Sequence, residues 1–206
     1  MPGGSNRLDD RNVSRGPGVD LGHICRTDGA NARAVRHTHH AGRCGGVVER
    51  GEQPYVAIRS SVAMGGIGNA IERSYPQVCG WLEARGLPPA GAPFTRYNLI
   101  DMERGLEIEV GVPVASEIPG DETVVAGILP AGRYASLTHV GDYDGLVDAN
   151  QALQQWAAAQ GLPFAMSETQ AGHRFESRLE ICLKDPDHEP DPAKWETEVA
   201  YLLADG

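Results

Sequence analysis

Residues 81–88 read Trp-Leu-Glu-Ala-Arg-Gly-Leu-Pro, and residues 156–163 read Trp-Ala-Ala-Ala-Gln-Gly-Leu-Pro. The two stretches share Trp, Ala, Gly, Leu and Pro at the same spacing and lie 75 residues apart. A block that returns in register indicates an internal repeat. The sequence therefore predicts two similar halves, at about residues 47–118 and about residues 119–206.

The first half reads as strand, helix, strand and strand. Val47–Val62 contains the first apolar run and is expected to be a strand. Ile67–Arg85 has apolar residues at helical spacing, and Pro76 inside it predicts a kink or a break. Phe94–Ile100 and Leu106–Val114 then form a hairpin.

The second half repeats this order with about fourteen extra residues near its end. Its predicted elements are the strands Thr123–Leu129 and Arg133–Val140, a helix at about Gly145–Gln160, and the strands Phe175–Leu183 and Trp195–Leu203. We expect an α+β fold, in which two pseudo-symmetric strand–helix–strand–strand repeats form an antiparallel sheet with two helices and a central cleft for a ligand.

The composition is ordinary for a globular protein. The chain has 206 residues, of which 41% are hydrophobic and 22% are charged, and its formal net charge is -10. No apolar run is long enough to span a membrane, and the N-terminus lacks the apolar segment of a secretory signal. The four cysteines form no CxxC pair, so reduced thiols and a cytoplasmic location are expected.

Residues 1–46 differ from the rest of the chain. They contain nine Gly, seven Arg and four His, carry a net charge of +3 and show no periodicity, which predicts a disordered basic tail. His37, His39 and His40 lie near Cys25 and Cys44, but the spacing matches no zinc module, so no metal and no cofactor are expected. Residues 47–206 carry a net charge of -13, which argues against direct binding of nucleic acid.

Several segments resemble one known family. They are Pro130–Ala135, Thr138–Leu146, Trp156–Pro163, Leu179–Pro186 and Pro190–Val199. Residues 47–206 resemble the GyrI-like small-molecule-binding domain, which is also the effector-binding part of drug-responsive regulators of the BmrR and Rob kind. The resemblance implies a ligand pocket between two units. This chain departs from the family at Cys182, where the family often has Tyr, and no DNA-binding module precedes residue 47, so a stand-alone version is expected.

The strand Phe175–Leu183 carries the principal candidate residue. Alternation places its apolar residues on one face and Arg178, Glu180 and Cys182 on the other. We expect the apolar face to pack on the helices and the polar face to line the cleft. Glu180 in mid-strand is either functional or salt-bridged, with Arg178 or Arg133 as a partner. The resemblance implies that it is the pocket glutamate that attracts lipophilic cations.

Other candidate ligand-binding residues are less specific. Glu109 and its counterpart Glu198 face either the same cleft or each other, and a structural role is at least as well supported. Two carboxylates held close together would raise the pKa of one of them. Tyr97 and Tyr143 suit stacking on a delocalised cation. Trp195 is a rim or core residue.

Three functions follow from these residues together with the family resemblance, and the strained substrates of the second are implied by the resemblance alone. The leading prediction is a module that binds amphipathic small molecules, including cationic ones, for sensing or sequestration. The alternative is a hydrolase that opens strained cyclopropane-type electrophiles, with Glu180 as a general base on water. The third is a protein-interaction role similar to that of a gyrase inhibitor, with no partner identified.

Overall fold

The computed structural model of the protein describes residues 45–101, 103–186 and 188–205. The predicted tail up to residue 44, with the candidate metal ligands His37, His39, His40, Cys25 and Cys44, lies outside the described residues.

The described residues form two α-helices and ten strands. The helices are α1 (Ile67–Glu83) and α2 (Leu146–Ala159). The strands are β1 (Gly46–Arg50), β2 (Gln53–Val62), β3 (Phe94–Asp101), β4 (Gly105–Pro113), β5 (Val125–Leu129), β6 (Gly132–Val140), β7 (Met166–Thr169), β8 (Gly172–Phe175), β9 (Arg178–Lys184) and β10 (Glu196–Leu202).

All ten strands belong to one antiparallel sheet, as expected for the α+β class. Its order is β1-β6-β10-β9-β3-β4-β2-β5, with β8 pairing with β3 and β7 pairing with β8. Strand β6 precedes α2, and β9 and β10 follow it in the sequence. In the same way, β2 precedes α1, and β3 and β4 follow it. The strands β9 and β3 join the two groups at the middle of the sheet. The pseudo-symmetry of the two halves stays a prediction.

The two faces of the sheet are covered differently. Three apolar clusters combine strand residues with residues of α1 or α2, and we call this side the helix face. The fourth cluster is built from strand residues and lies on what we call the opposite face. Its members are Tyr55, Ala57, Phe94, Leu129, Tyr134, Leu179, Ile181, Ala200 and Leu202. Both faces of the sheet therefore carry buried apolar clusters.

The helix α1 is not broken at Pro76. It runs from Ile67 to Glu83 as one element, with the proline inside it. Ala70 packs into one core cluster before Pro76, and Val78 and Leu82 pack into another cluster after it. Because both halves of the helix are anchored to the sheet, tertiary packing offsets the missing backbone donor of the proline.

Two strand boundaries differ from the prediction. Val47–Val62 is two strands, because the chain leaves β6 after β1 and crosses to β4 and β5 through an exposed turn at residues 51–52. Phe175–Leu183 is also divided, since Phe175 ends β8 and Arg178 begins β9. The hairpin β7–β8 was not predicted. Its strands have four residues each and β7 is exposed throughout, so it shows no hydrophobic alternation.

Candidate functional site

Glu180 lies in the middle of the sheet. In β9 it pairs with Thr95 of β3 on one side and with Val199 of β10 on the other. Because side chains alternate along a strand, Glu180 shares a face with Arg178 and Cys182. The structure thus places three of the predicted site residues side by side.

The prediction that the apolar face of this strand packs on the helices is wrong. Leu179 and Ile181 belong to the strand-built cluster on the opposite face. Glu180 instead faces α2, where Asn150 donates a hydrogen bond to it. Since both faces of the sheet carry buried apolar clusters, an apolar row along one strand does not identify the face that the helices cover.

Two neutral side chains hold the Glu180 carboxylate. Tyr97 Oη donates to one oxygen at 2.6 Å, and Asn150 Nδ2 donates to the other at 2.8 Å. Burial raises the pKa of Tyr97 well above its ordinary value, and the Glu180 carboxylate raises it further, so the phenol stays protonated at neutral pH. In the described part of the chain, neither Arg178 nor Arg133 reaches Glu180 at salt-bridge distance.

Asn150 of α2 is the site residue that the sequence analysis missed. Its Oδ1 accepts hydrogen bonds from Tyr201 Oη at 2.7 Å and from Arg178 at 3.1 Å, while Nδ2 also donates to the backbone oxygen of Leu146 at 2.8 Å. Asn150 is buried and follows Leu146 by four residues, so it lies on the apolar stripe of the helix. A polar residue at a predicted core position was the sequence signal that could have identified Asn150 as a site residue.

Arg178 is surrounded by aromatic rings. Its guanidinium carbon lies 5.1 Å from the ring centre of Tyr97, 5.4 Å from that of Phe175 and 4.9 Å from that of Tyr201. It donates a hydrogen bond to Asn150 and interacts with the Tyr201 hydroxyl, and its buried Nε has no hydrogen-bond partner among the described residues. Arg178 is therefore held by these polar contacts and by cation–π contacts, without an ion pair in the described part of the chain.

The helix face becomes more exposed toward the end of β9. The rings of Tyr143 and Trp195 lie 4.9 Å apart, and Tyr143 is 40% exposed.

Burial raises the pKa of Cys182 to about 12, with smaller contributions from Asp185 and Glu180. The thiol is therefore protonated at neutral pH and is unsuited to nucleophilic attack.

Glu109 lies on the other side of the sheet from Glu180. Its side chain is 1% exposed and accepts hydrogen bonds from Tyr55 Oη at 2.7 Å and from Arg59 at 2.9 and 2.6 Å, with Arg96 at 3.8 Å. Burial and the Glu109 carboxylate raise the pKa of Tyr55 to about 12. The structure thus gives Glu109 ion pairs on the opposite face and does not bring it together with Glu180.

Glu198, the predicted counterpart of Glu109, is also ion-paired. It is 5% exposed, bonds Arg50 at 2.5 Å and accepts a hydrogen bond from Ser136. Both of these acidic residues therefore have arginine partners.

An open cavity of about 350 Å³ lies beside Glu109. Charged groups of both signs line it together with residues of the β7–β8 hairpin, namely Arg59, Arg96, Asn98, Glu107, Glu109, Met166, Ser167, Arg174, Phe175 and Glu176. Two of its acidic residues already have arginine neighbours, since Glu109 pairs with Arg59 and Arg174 lies 3.7 Å from Glu107.

The model of the GyrI-like small molecule binding domain matches residues 47–202. The chain belongs to the GyrI-like family. This confirms the resemblance drawn from the sequence. No curated protein matches the sequence.

Solved structures show the same fold. The EcmrR C-terminal domain is 20% identical with a TM-score of 0.64, and the match covers 79% of this chain and 98% of that domain. In the EcmrR–DNA complex, with the same identity, TM-score and share of this chain, the match spans 57% of the EcmrR chain. SAV2435 bound to tetraphenylphosphonium is 11% identical with a TM-score of 0.53, covering 78% of this chain and 93% of that one. A hydrolase encoded by lin2189 from Listeria innocua is 12% identical with a TM-score of 0.50, covering 79% and 92%.

No helix among the described residues is long and apolar enough to cross a membrane. They also contain no group of three or more His, Cys, Asp or Glu side chains placed to hold a metal ion.

Proposed function

We propose that this protein binds amphipathic small molecules, including lipophilic cations, on the helix face beside Glu180, in the cleft between its two repeats. One observation carries the proposal. Glu180 is a mid-sheet acidic residue held by the neutral donors Tyr97 and Asn150, with no arginine or lysine at salt-bridge distance in the described part of the chain. A carboxylate without an ion pair can make one with a ligand.

The surroundings of Glu180 suit such a ligand. The rings of Tyr143 and Trp195 pack against each other, tilted by 36°, at the more exposed end of the strand and offer an aromatic surface to a ligand that enters there. The net charge of -13 over residues 47–206 favours cations over anions at longer range.

The relatives supply the first compound to test. SAV2435 is bound to tetraphenylphosphonium, a lipophilic cation, and EcmrR was solved with DNA. Carried to this chain, these likenesses support ligand sensing or sequestration, with the cytoplasm as the predicted location.

Isothermal titration calorimetry with tetraphenylphosphonium tests the proposal. We expect Glu180→Gln to weaken binding by about fivefold or more, which corresponds to about 1 kcal/mol for a lost charge-assisted contact. Glu107→Gln is the matched control, because it removes the same charge from a half-exposed position on the other side of the sheet, on the strand that carries Glu109. Equal losses in both variants, or no loss in Glu180→Gln, would remove Glu180 from the binding site.

The hydrolase alternative uses the same carboxylate and is separated by mass spectrometry. Wild type and Glu180→Gln are incubated with cyclopropane-bearing alkylators as well as with lipophilic cations. Binding predicts compounds that are retained unchanged. A product heavier by one water, formed by the wild type and not by the variant, would establish hydrolysis instead.

A further inference from the structure

The guanidinium of Arg178 lies where an organic cation would be recognised. Three rings, those of Tyr97, Phe175 and Tyr201, surround it at 4.9 to 5.4 Å. Aromatic rings around a positive charge form the cage with which proteins bind organic cations. We call these three rings the aromatic cage.

The aromatic cage and Glu180 share two neighbours. Tyr97 contributes a ring to the cage and donates its hydroxyl to Glu180. Asn150 donates to Glu180 through Nδ2 and accepts from Arg178 through Oδ1. A cation in the cage is therefore close to the carboxylate, although Arg178 makes no ion pair with it.

We propose that Arg178 is a resident cation that fills the cationic subsite of the cleft and thereby determines which ligands bind. A ligand cation must displace Arg178 from the aromatic cage before it can occupy the cage itself. This inference rests on the proposed function, because it assumes that ligands enter beside Glu180.

Arg178 is held in a way that permits displacement. Its polar contacts are a hydrogen bond to Asn150 at 3.1 Å and an interaction with the Tyr201 hydroxyl, three rings surround it, and its buried Nε has no hydrogen-bond partner among the described residues. By contrast, Arg59 makes two hydrogen bonds to the Glu109 carboxylate. When the Arg178 guanidinium moves into water, its unpaired donor forms hydrogen bonds with solvent. The free energy gained in this way offsets part of the free energy lost when the cation–π contacts break.

The resident cation has a consequence for specificity. In the wild type, a lipophilic cation competes with Arg178 for the rings and for the field of Glu180. A neutral ligand that packs elsewhere in the cleft meets no such competition. Removal of the Arg178 charge should therefore strengthen cation binding selectively.

Calorimetry on Arg178→Met tests this consequence. The methionine keeps an unbranched apolar side chain without the charge, and Arg178→Lys keeps the charge as a matched control. We expect Arg178→Met to bind tetraphenylphosphonium at least about tenfold more tightly than the wild type, and to bind neutral triphenylphosphine oxide within about threefold of it. We expect Arg178→Lys to bind tetraphenylphosphonium within about threefold of the wild type.

An NMR measurement on the wild type tests displacement directly and does not depend on a variant that folds. The Arg178 Nε–Hε signal, assigned by its loss in Arg178→Lys, should be shielded by the rings in the free protein. On saturation with tetraphenylphosphonium it should move to the position of an exposed arginine.

The outcomes separate this inference from the proposed function. If Glu180→Gln loses affinity while Arg178→Met gains none, or the Arg178 signal stays shielded in the complex, the ligand site stands and the resident cation is refuted. If Arg178→Met gains affinity but Glu180→Gln loses none, the cage is the site and the role of Glu180 is refuted. If neither the wild type nor Arg178→Met binds tetraphenylphosphonium, both proposals fall.

Discussion

Glu109 and Glu180 are both acidic residues within central strands of one sheet, yet their surroundings differ. Glu109 has arginine partners on the opposite face, and its side chain is 1% exposed. Glu180 on the helix face has two neutral donors and is half-buried. The first carboxylate is neutralised by the chain itself, whereas the second keeps its capacity to pair with a ligand cation.

This difference teaches that the position of a carboxylate within a strand does not decide its role. Removal of a buried ion-paired carboxylate leaves its partner charged and poorly solvated, so the effect falls on stability. Removal of a carboxylate held by neutral donors leaves no charge stranded, so the effect falls mainly on whatever the carboxylate binds. Variants on the two faces should therefore separate stability from binding.

The largest effect should come from Glu109→Ala. The substitution leaves Arg96, whose side chain is 17% exposed, without its carboxylate, and Tyr55 without an acceptor. We expect a loss of about 3 kcal/mol in the free energy of unfolding, the low end for a broken buried pair because Arg59 is 61% exposed. Urea denaturation measures this loss, and the folded fraction should bind tetraphenylphosphonium as the wild type does.

Glu180→Gln is the matched variant for this comparison. We expect it to change the free energy of unfolding by less than about 1 kcal/mol, because the amide oxygen still accepts from Asn150 and the amide nitrogen can donate to Tyr97 Oη, which then acts as acceptor. A stability loss as large as that of Glu109→Ala would show that the Glu180 carboxylate is also structural.

An intermediate effect should follow from Asn150→Ala on the helix face. The substitution removes the donor to Glu180 and the acceptor of both Tyr201 and Arg178. Stranding these partly buried groups should cost about 2 kcal/mol of unfolding free energy, and the loosened carboxylate should weaken ligand binding as well.

Gln154→Ala one turn later on α2 is the control for this variant. Its exposed side chain makes one hydrogen bond, to Tyr201 at 3.0 Å, so denaturation should shift by less than about 0.5 kcal/mol. An Asn150→Ala protein as stable as the Gln154→Ala protein would contradict the view that the buried amide organises the site.

Those elements whose hydrophobic residues recur at strand or helix spacing could be predicted from the sequence. The hairpin of β3 and β4 and the helix α2 agree with the pattern to within a residue or two. The β7–β8 hairpin could not be predicted, because its exposed strands owe their pairing to the neighbouring strand β3 and not to a hydrophobic face. The continuity of α1 through Pro76 could not be predicted for a similar reason, since it depends on packing against the sheet on both sides of the proline and not on the sequence of the helix itself.

The site could be predicted only strand by strand. Alternation correctly grouped Arg178, Glu180 and Cys182 on one side of β9. Alternation within one strand could not show that Glu180 in β9 and Glu109 in β4 lie on different faces of the sheet. The pairing of the strands decides this, and the sequence pattern does not record the pairing. Asn150 was not predicted as a site residue because only the apolar residues of the buried side of α2 were considered.

The smallest effect concerns Cys182, which tests whether the helix face offers a second anionic group beside Glu180. With a pKa of about 12, its thiol should alkylate with iodoacetamide about a thousandfold more slowly at pH 8 than in the unfolded chain. Because the reactive thiolate is scarce throughout this range, the rate should rise about tenfold per pH unit from pH 7 to pH 9.5 without levelling off. Mass spectrometry of the Cys182 peptide follows the reaction in native protein and in urea. A rate that levels off near pH 9 would place a thiolate beside Glu180 and would remove the contrast between the Glu180 carboxylate, held by neutral donors, and the ion-paired Glu109 and Glu198.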